Sequence, residues 1–260
     1  MCYGNASLQL TATMRIAFVG KGGSGKSTLT AAFSSFVATQ RQQPVIVFDA
    51  DLNMHVPQLL GLDDQPFAQH LSHPEVTKTL LEWLQGTNEI PRGAFRKTTP
   101  PTRGSNLLVL ENLSETPVAA FGQQQDTLTT FVVGTYQETD IGASCYHNNL
   151  AILESILNHT DDRSGYVVVD MVAGIDSFAG TLHQQFDLTC LVVEPTRRGI
   201  AVYEQYRTLA QEAELLGQLR VIVNKVRSVG DREFIQAHIT PDTILGYVVD
   251  DEHIRSIDQT

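Results

Sequence analysis

Arg15-Ile16-Ala17-Phe18-Val19-Gly20-Lys21-Gly22-Gly23-Ser24-Gly25-Lys26-Ser27-Thr28 decides how the rest of the chain reads. The apolar run Ile16 to Val19 predicts a buried strand, and Leu29 to Val37 predicts a helix. Between them Gly20-x4-Gly25-Lys26-Ser27 sits in the strand, glycine turn and helix order that a phosphate-binding P-loop requires. Gly20, Gly22, Gly23 and Gly25, with Ser24 among them, let the backbone take the positive-φ conformations that aim several N–H groups at one anion. The helix start adds unpaired N–H groups and the positive end of its dipole. In such a loop Lys26 reaches the β- and γ-phosphates, Ser27 ligates Mg²⁺ and Thr28 meets the α-phosphate. The expected cofactors are therefore ATP or ADP with Mg²⁺. A Gly/Ser loop that meets the pattern by chance would lack the correct flanking elements.

Lys21 narrows the motif further. With a lysine directly after the first glycine, Gly20-Lys-Gly-Gly-x-Gly-Lys-Ser-Thr28 resembles the deviant P-loop of the MinD/ParA/nitrogenase-iron-protein ATPases. The resemblance implies that Lys21 crosses a dimer interface to the partner's nucleotide. It also implies a doubly wound α/β fold, a mostly parallel sheet in a three-layer α/β/α sandwich.

Composition limits the alternatives. The 260 residues suffice for one α/β domain with a large core. Lys+Arg 18 against Asp+Glu 29 give a net charge of -11, which speaks against a generic nucleic-acid or anionic-membrane surface. Cys2, Cys145 and Cys190 are too scattered for a disulfide framework, so a reducing cytoplasm is expected. No apolar run approaches a bilayer span, and no secretory pattern opens the chain. Residues 1–13 are polar and aperiodic; we expect a flexible extension there, Met14 as the natural start, and a single ATPase domain over 14–260.

Further along, Val45 to Phe48 predicts a second buried strand, running into Asp49-Ala50-Asp51. Carboxylates at the carboxyl end of a parallel strand lie where α/β proteins bind ligands. Asp51 is the candidate for orienting the attacking water and Asp49 for ordering Mg²⁺-bound waters; alternatively the pair caps the next helix. Ser72-His-Pro-Glu75 has the form of a capping box, opening a helix with Val76, Leu80, Trp83 and Leu84 on one face and Gly86 at its end. Strands are predicted at Leu107 to Leu110, Leu128 to Val133, Gly165 to Asp170, Leu188 to Val193, Arg220 to Val223 and Ile244 to Val249. Four apolar residues ending in Asp170 make a Walker B strand, which sets a carboxylate beside Ser27 to hold Mg²⁺ through water. Gly174 and Asp176 continue as a switch loop. Cys145 and His147 lie in a glycine-marked loop before a helix from about Asn149 to Leu157, a position that favours thiolate. Cys190 is expected to be buried packing. Glu194-Pro195-Thr-Arg-Arg-Gly199 leads into a long helix closed by Gly217, and Asn224, with Lys225 after it, ends a strand where an amide suits the adenine edge.

Taken together, Asp170-Met-Val-Ala-Gly-Ile-Asp176, Val193-Glu-Pro-Thr-Arg-Arg198, Asn224-Lys-Val226 and Gly134-x7-Gly142-x2-Cys145-x-His147-x-Asn149 resemble the CooC family, nickel-insertion ATPases that mature carbon monoxide dehydrogenase. The resemblance runs from Met14 to about Asp250. It implies an ATP-dependent homodimer, a client metalloenzyme, and slow hydrolysis without a partner. Lys21 would then serve the partner's nucleotide, Lys26, Ser27 and Thr28 the phosphates and Mg²⁺, Asp51 water, Asp170 Mg²⁺ and Asn224 adenine, with Glu194 and Pro195 against the base. Two departures matter. Val172 stands where the family's switch loop carries glutamate, and Cys145-Tyr146-His147 replaces its Cys-x-Cys. One Cys and one His from each of two subunits would suit tetrahedral Zn²⁺ or Ni²⁺; an interface thiol beside a hydrogen-bonded histidine is the alternative. A positioning or partition ATPase, or a regulatory nucleotide-binding subunit, are the competing functions. The former acts on membrane or DNA, and the acidic, weakly amphipathic stretch Asp250 to Thr260 argues against both surfaces.

Overall fold

The computed structural model describes residues 13–134, 147–172, 178 and 181–251. Its strands are β1 (Met14–Gly20), β2 (Val45–Ala50), β3 (Leu108–Val109), β4 (Gln123–Gln125), β5 (Leu128–Val132), β6 (Thr160–Asp161), β7 (Tyr166–Met171), β8 (Leu188–Val193), β9 (Leu219–Val226) and β10 (Ile244–Val249). The helices are α1 (Lys26–Phe36), α2 (Val56–Leu59), α3 (Pro74–Gln85), α4 (His147–Asn158), α5 (Arg197–Glu212) and α6 (Val229–Gln236).

Eight strands form one sheet in the order β10-β9-β8-β1-β7-β2-β5-β4, parallel except for β4, which pairs antiparallel with β5. From β1 the chain winds one way to β2 and, later, the other way to β8, β9 and β10, so a crevice opens at the carboxyl end of β1. Central strands buried on both faces need apolar side chains at successive positions. In β1, Ala17 and Val19 join the core under α3, α4 and α5, whereas Ile16 and Phe18 pack toward Leu29 and Phe33 of α1. The alternation repeats in β2 and β7, where Phe48 and Val169 face one layer and Val47 and Val168 the other. Each such buried chain contributes roughly 1.5–3 kcal/mol. This is the three-layer, doubly wound architecture that the sequence predicts.

Local expectations fare less evenly. The Ser72/Glu75 capping box does not form: α3 begins at Pro74 with His73 as N-cap and no side-chain cap. The Ser72 amide instead donates to the Val133 carbonyl at 3.0 Å, which ties Ser72 to the end of β5 and moves the helix start on. Leu107 is exposed, and β3 pairs with β6 in a separate two-stranded sheet. Gly217 lies in a 3-10 turn, and α5 ends earlier, at Ala213. Gly86 does end α3, at φ 59. Cys190 is buried, and burial pushes its thiol up to about 12. No helix among the described residues is long and apolar enough to cross a membrane. The extension at 1–12, the loop with Gly142 and Cys145, the switch residues Gly174 and Asp176, and residues 252–260 lie outside the described residues.

Candidate functional site

At the crevice, β1 ends in Gly20 and α1 begins at Lys26. The Leu29 amide is the first to bond back, to the Gly25 carbonyl at 3.0 Å. The amides of Lys26, Ser27 and Thr28 thus point out of the helix start without an intrahelical acceptor. Gly25 caps α1 at φ 92, a left-handed conformation that penalises any side chain. A Cβ there would also strike the Asn224 amide nitrogen, which donates to the Ser24 carbonyl at 2.7 Å. Asn224 is thus packed against the back of the loop through its Nδ2, and its Oδ1 accepts no hydrogen bond from the described residues. Beside it Lys225, at φ 58, donates to the Gly23 carbonyl at 2.6 Å and to Glu194 Oε1 at 2.7 Å.

Three carboxylates line the floor. Asp49 and Asp170 are register partners on adjacent strands β2 and β7, which brings them together at one level. Lys26 donates to Asp51 and lies 3.9 Å from Asp170. The Ser27 hydroxyl donates to Asp170 Oδ2 at 2.6 Å, and Thr30 Oγ1, one turn on from Lys26, approaches Oδ1 at 3.3 Å. Asp51 Oδ1 accepts from the Asn53 amide at 3.0 Å and from its side chain at 3.1 Å. Asp49 turns both oxygens onto backbone, accepting from the Val56 amide at 2.9 Å and the Asp51 amide at 3.1 Å. The capping of α2 therefore falls to Asp49. Burial, then the Asp170 charge, push its carboxyl up to about 8. Burial raises Asp170 to about 6, against the lowering pull of Lys26 and Ser27.

This donor set fits a magnesium nucleotide. Hard hydroxyl and carboxylate oxygens meet at Ser27 and Asp170, as Mg²⁺ prefers, beside an ammonium and unpaired amides suited to phosphate.

A family model for the CobQ/CobB/MinD/ParA nucleotide binding domain matches residues 16–260. The chain belongs to that family. An uncharacterized ATP-binding protein of Methanocaldococcus jannaschii is 27% identical over 93% of this chain and 87% of its own length. The carbon monoxide dehydrogenase accessory protein CooC of Rhodospirillum rubrum is 25% identical over 95% of this chain and 87% of its own. Among solved structures, a ParA family ATPase from Chlorobium tepidum superposes with a TM-score of 0.62 at 16% identity, covering 95% of this chain and 89% of that one. That likeness bears on the fold alone. The CobQ/CobB/MinD/ParA assignment agrees with the P-loop, with the sheet order and with the resemblance to CooC drawn from the motifs.

The site unites Lys26, Ser27, Asp51 and Asp170 directly, and Ser24, Glu194, Asn224 and Lys225 through contacts behind the loop. Pro195 follows Glu194 at the end of β8. Cys145 is outside the described residues; α4 opens at His147, of whose side chain nothing is described. No group of three or more His, Cys, Asp or Glu arranged to hold a metal occurs among the described residues. Sequence reasoning overlooked Asn53, which fixes Asp51, and Thr30, which supports Asp170; the spacing from Lys26 to Thr30 on one helix face was the available signal.

Proposed function

We propose that this chain is a magnesium-dependent ATP-binding and ATP-hydrolysing switch, closing as a homodimer on the nucleotide and serving the maturation of a metalloenzyme in the reducing cytoplasm. One observation carries the reading: the P-loop ammonium of Lys26 is held by Asp51 beside Asp170, whose carboxylate already receives the Ser27 hydroxyl. When bound, the magnesium nucleotide supplies the reacting phosphoanhydride. Ser27 and Asp170, already hydrogen-bonded to each other, are the residues that would hold its metal. Lys26 exchanges Asp51 for phosphate, and Asp51, kept in place by Asn53, is released to orient the attacking water. Asp49 keeps this loop in shape through the Asp51 and Val56 amides, and its remaining lone pairs would help order water around the metal. Asn224 Oδ1 accepts from the adenine amino group, with Glu194 and Pro195 against the base. Lys21 reaches the nucleotide of the second copy. Val172, buried and apolar, brings no carboxylate to the switch, in keeping with slow turnover without a partner.

The likeness to CooC supports the maturation role, and Cys145 with His147 is the candidate pair for Zn²⁺ or Ni²⁺ cargo. Nucleotide titration with and without Mg²⁺ tests the core reading. Lys26→Ala weakens binding by about a hundredfold or more, as expected when a charge-assisted phosphate contact goes and Asp51 is left unpaired. Asp51→Asn lowers single-turnover hydrolysis by roughly 10²–10⁴. Wild-type protein without magnesium-dependent affinity for adenine nucleotides would end the proposal. Equilibrium dialysis with Zn²⁺ and Ni²⁺ tests the cargo: equal, near-zero uptake by wild type and Cys145→Ser removes the metal clause.

A further inference from the structure

Asn224 reaches the P-loop from β9, across 200 residues of chain, and its two polar atoms have different surroundings. Nδ2 donates to the Ser24 carbonyl at 2.7 Å, whereas Oδ1 accepts nothing from the described residues. The contact is close: a Cβ built on Gly25 would lie 2.2 Å from that nitrogen.

Holding the Ser24 carbonyl bears on two amides. The peptide unit between Ser24 and Gly25 is planar, so its C=O and N–H point in opposite directions. With the carbonyl drawn back to β9, the Gly25 N–H faces away from that strand, and it finds no acceptor among the described residues. The same carbonyl is where an α-helical bond from the Thr28 amide would end. Helical bonding starts one residue later instead, from Leu29 to Gly25 at 3.0 Å. The preceding peptide unit offers no such freedom. Its carbonyl, of Gly23, accepts from Lys225 at 2.6 Å, and its amide, of Ser24, donates to the Lys21 carbonyl at 3.1 Å. The Ser24–Gly25 unit is thus the last plane before α1 with an open amide, and Asn224 sets its tilt.

We infer that Asn224 is a positioning residue for phosphate binding: through the Ser24 carbonyl it aims the Gly25 N–H and keeps the Thr28 N–H out of the helix. Donors fixed in advance need no reorientation when the anion arrives. The inference rests on the ATP reading above and adds to it a task for the end of Asn224 that faces away from the base. The side chain proposed to read adenine then also shapes the grip on the phosphates, so a base that engages Oδ1 steadies the loop through Nδ2.

The experiment must separate the two ends of one side chain, and inorganic tripolyphosphate does so because it carries no base. Calorimetry with magnesium tripolyphosphate and with magnesium ATP compares the full wild-type chain with Asn224→Ala, well below the thermal midpoint of each. The substitution should weaken tripolyphosphate binding about tenfold, as when a charged acceptor loses one aimed donor, and ATP binding by more. A second measurement follows the Gly25 amide resonance in ¹⁵N-labelled protein. On saturation with magnesium ATP it should move far downfield in the wild type and by less than half as much in Asn224→Ala. Wild-type tripolyphosphate affinity in the variant, or an undiminished Gly25 shift, would overturn the inference and leave Asn224 a contact for the base alone. A wild type without magnesium-dependent ATP binding would instead overturn the ATP switch, and this inference with it.

Discussion

On one side of the P-loop lie three buried carboxylates, of which Asp51 holds the Lys26 ammonium, Asp170 lies 3.9 Å from it and Asp49 faces backbone amides. On the other, three exposed cations surround a cavity whose one carboxylate is already paired to Lys225. The two imbalances have opposite sign and different depth. Water screens Lys21, Arg197 and Arg198, so the flank tolerates its excess charge. Asp49 and Asp170 have no such screening, so protons relieve the floor when no metal is present.

The largest effect should therefore come from pH. A carboxyl whose folded pKa exceeds its unfolded value favours folding while it is protonated. That contribution is full below the ordinary 3.8 and is lost as pH rises to about 6 for Asp170 and about 8 for Asp49. In magnesium- and nucleotide-free protein, stability should fall with rising pH by about 1.4 kcal/mol per unit for each proton released. Urea midpoints across the window from Asp170's value, about 6, to Asp49's, about 8, read this directly. Asp49→Asn should flatten the slope there, even though its amide group suits only one of the two backbone N–H donors. A wild-type slope equal to the variant's would mean that the floor is not relieved by protons at Asp49.

Gly25 stands between the two regions, and its replacement should break both. Alanine must adopt φ 92 and meet the Asn224 amide. Gly25→Ala is expected to cost about 1–3 kcal/mol of stability and, by tilting the start of α1, about tenfold or more in nucleotide affinity. Asn224→Ala in that background should recover part of the loss, with a coupling of about 1 kcal/mol, because the collision disappears and the φ cost remains. Simple additivity would show that Asn224 does not obstruct the new methyl.

The floor was far more legible in the sequence than the flank. Lys26, Ser27, Asp51 and Asp170 occupy local motifs whose strand–turn–helix context forces their meeting, because parallel strands end at one edge. The flank is assembled by tertiary approach: Gly199 lets α5 close on Glu194, and Lys225 comes from β9. Val193-Glu-Pro-Thr-Arg-Arg198 carried a resemblance but no sign that its arginines share a cavity with Lys21. Elsewhere, tertiary pairing overrode local signals. Ser72 bonds to the end of β5 in place of capping α3, whereas Ser228 and Asp231, unremarked in the sequence, form the reciprocal cap of α6. Gln123–Gln125 carries no alternating apolar pattern, since an edge strand with one neighbour has little to bury.

The smallest effect should separate charge from shape on the flank. Lys225→Met keeps a long side chain and the φ 58 backbone but removes the ammonium that neutralises Glu194. The pair is partly exposed, so stability should change by only about 0.5 kcal/mol. Magnesium-nucleotide affinity, measured calorimetrically, should nevertheless weaken about two- to threefold, because an unmasked carboxylate now stands beside the glycine turn that meets the phosphates. Adding Glu194→Gln should restore it, since the wall regains its neutral partner for Lys21, Arg197 and Arg198 without regaining the ion pair. Loss without restoration would assign Lys225 a purely structural part, through its bond to the Gly23 carbonyl. Restoration would show that the flank is tuned by one masked carboxylate, the converse of the floor, where one ammonium is set between Asp51 and Asp170.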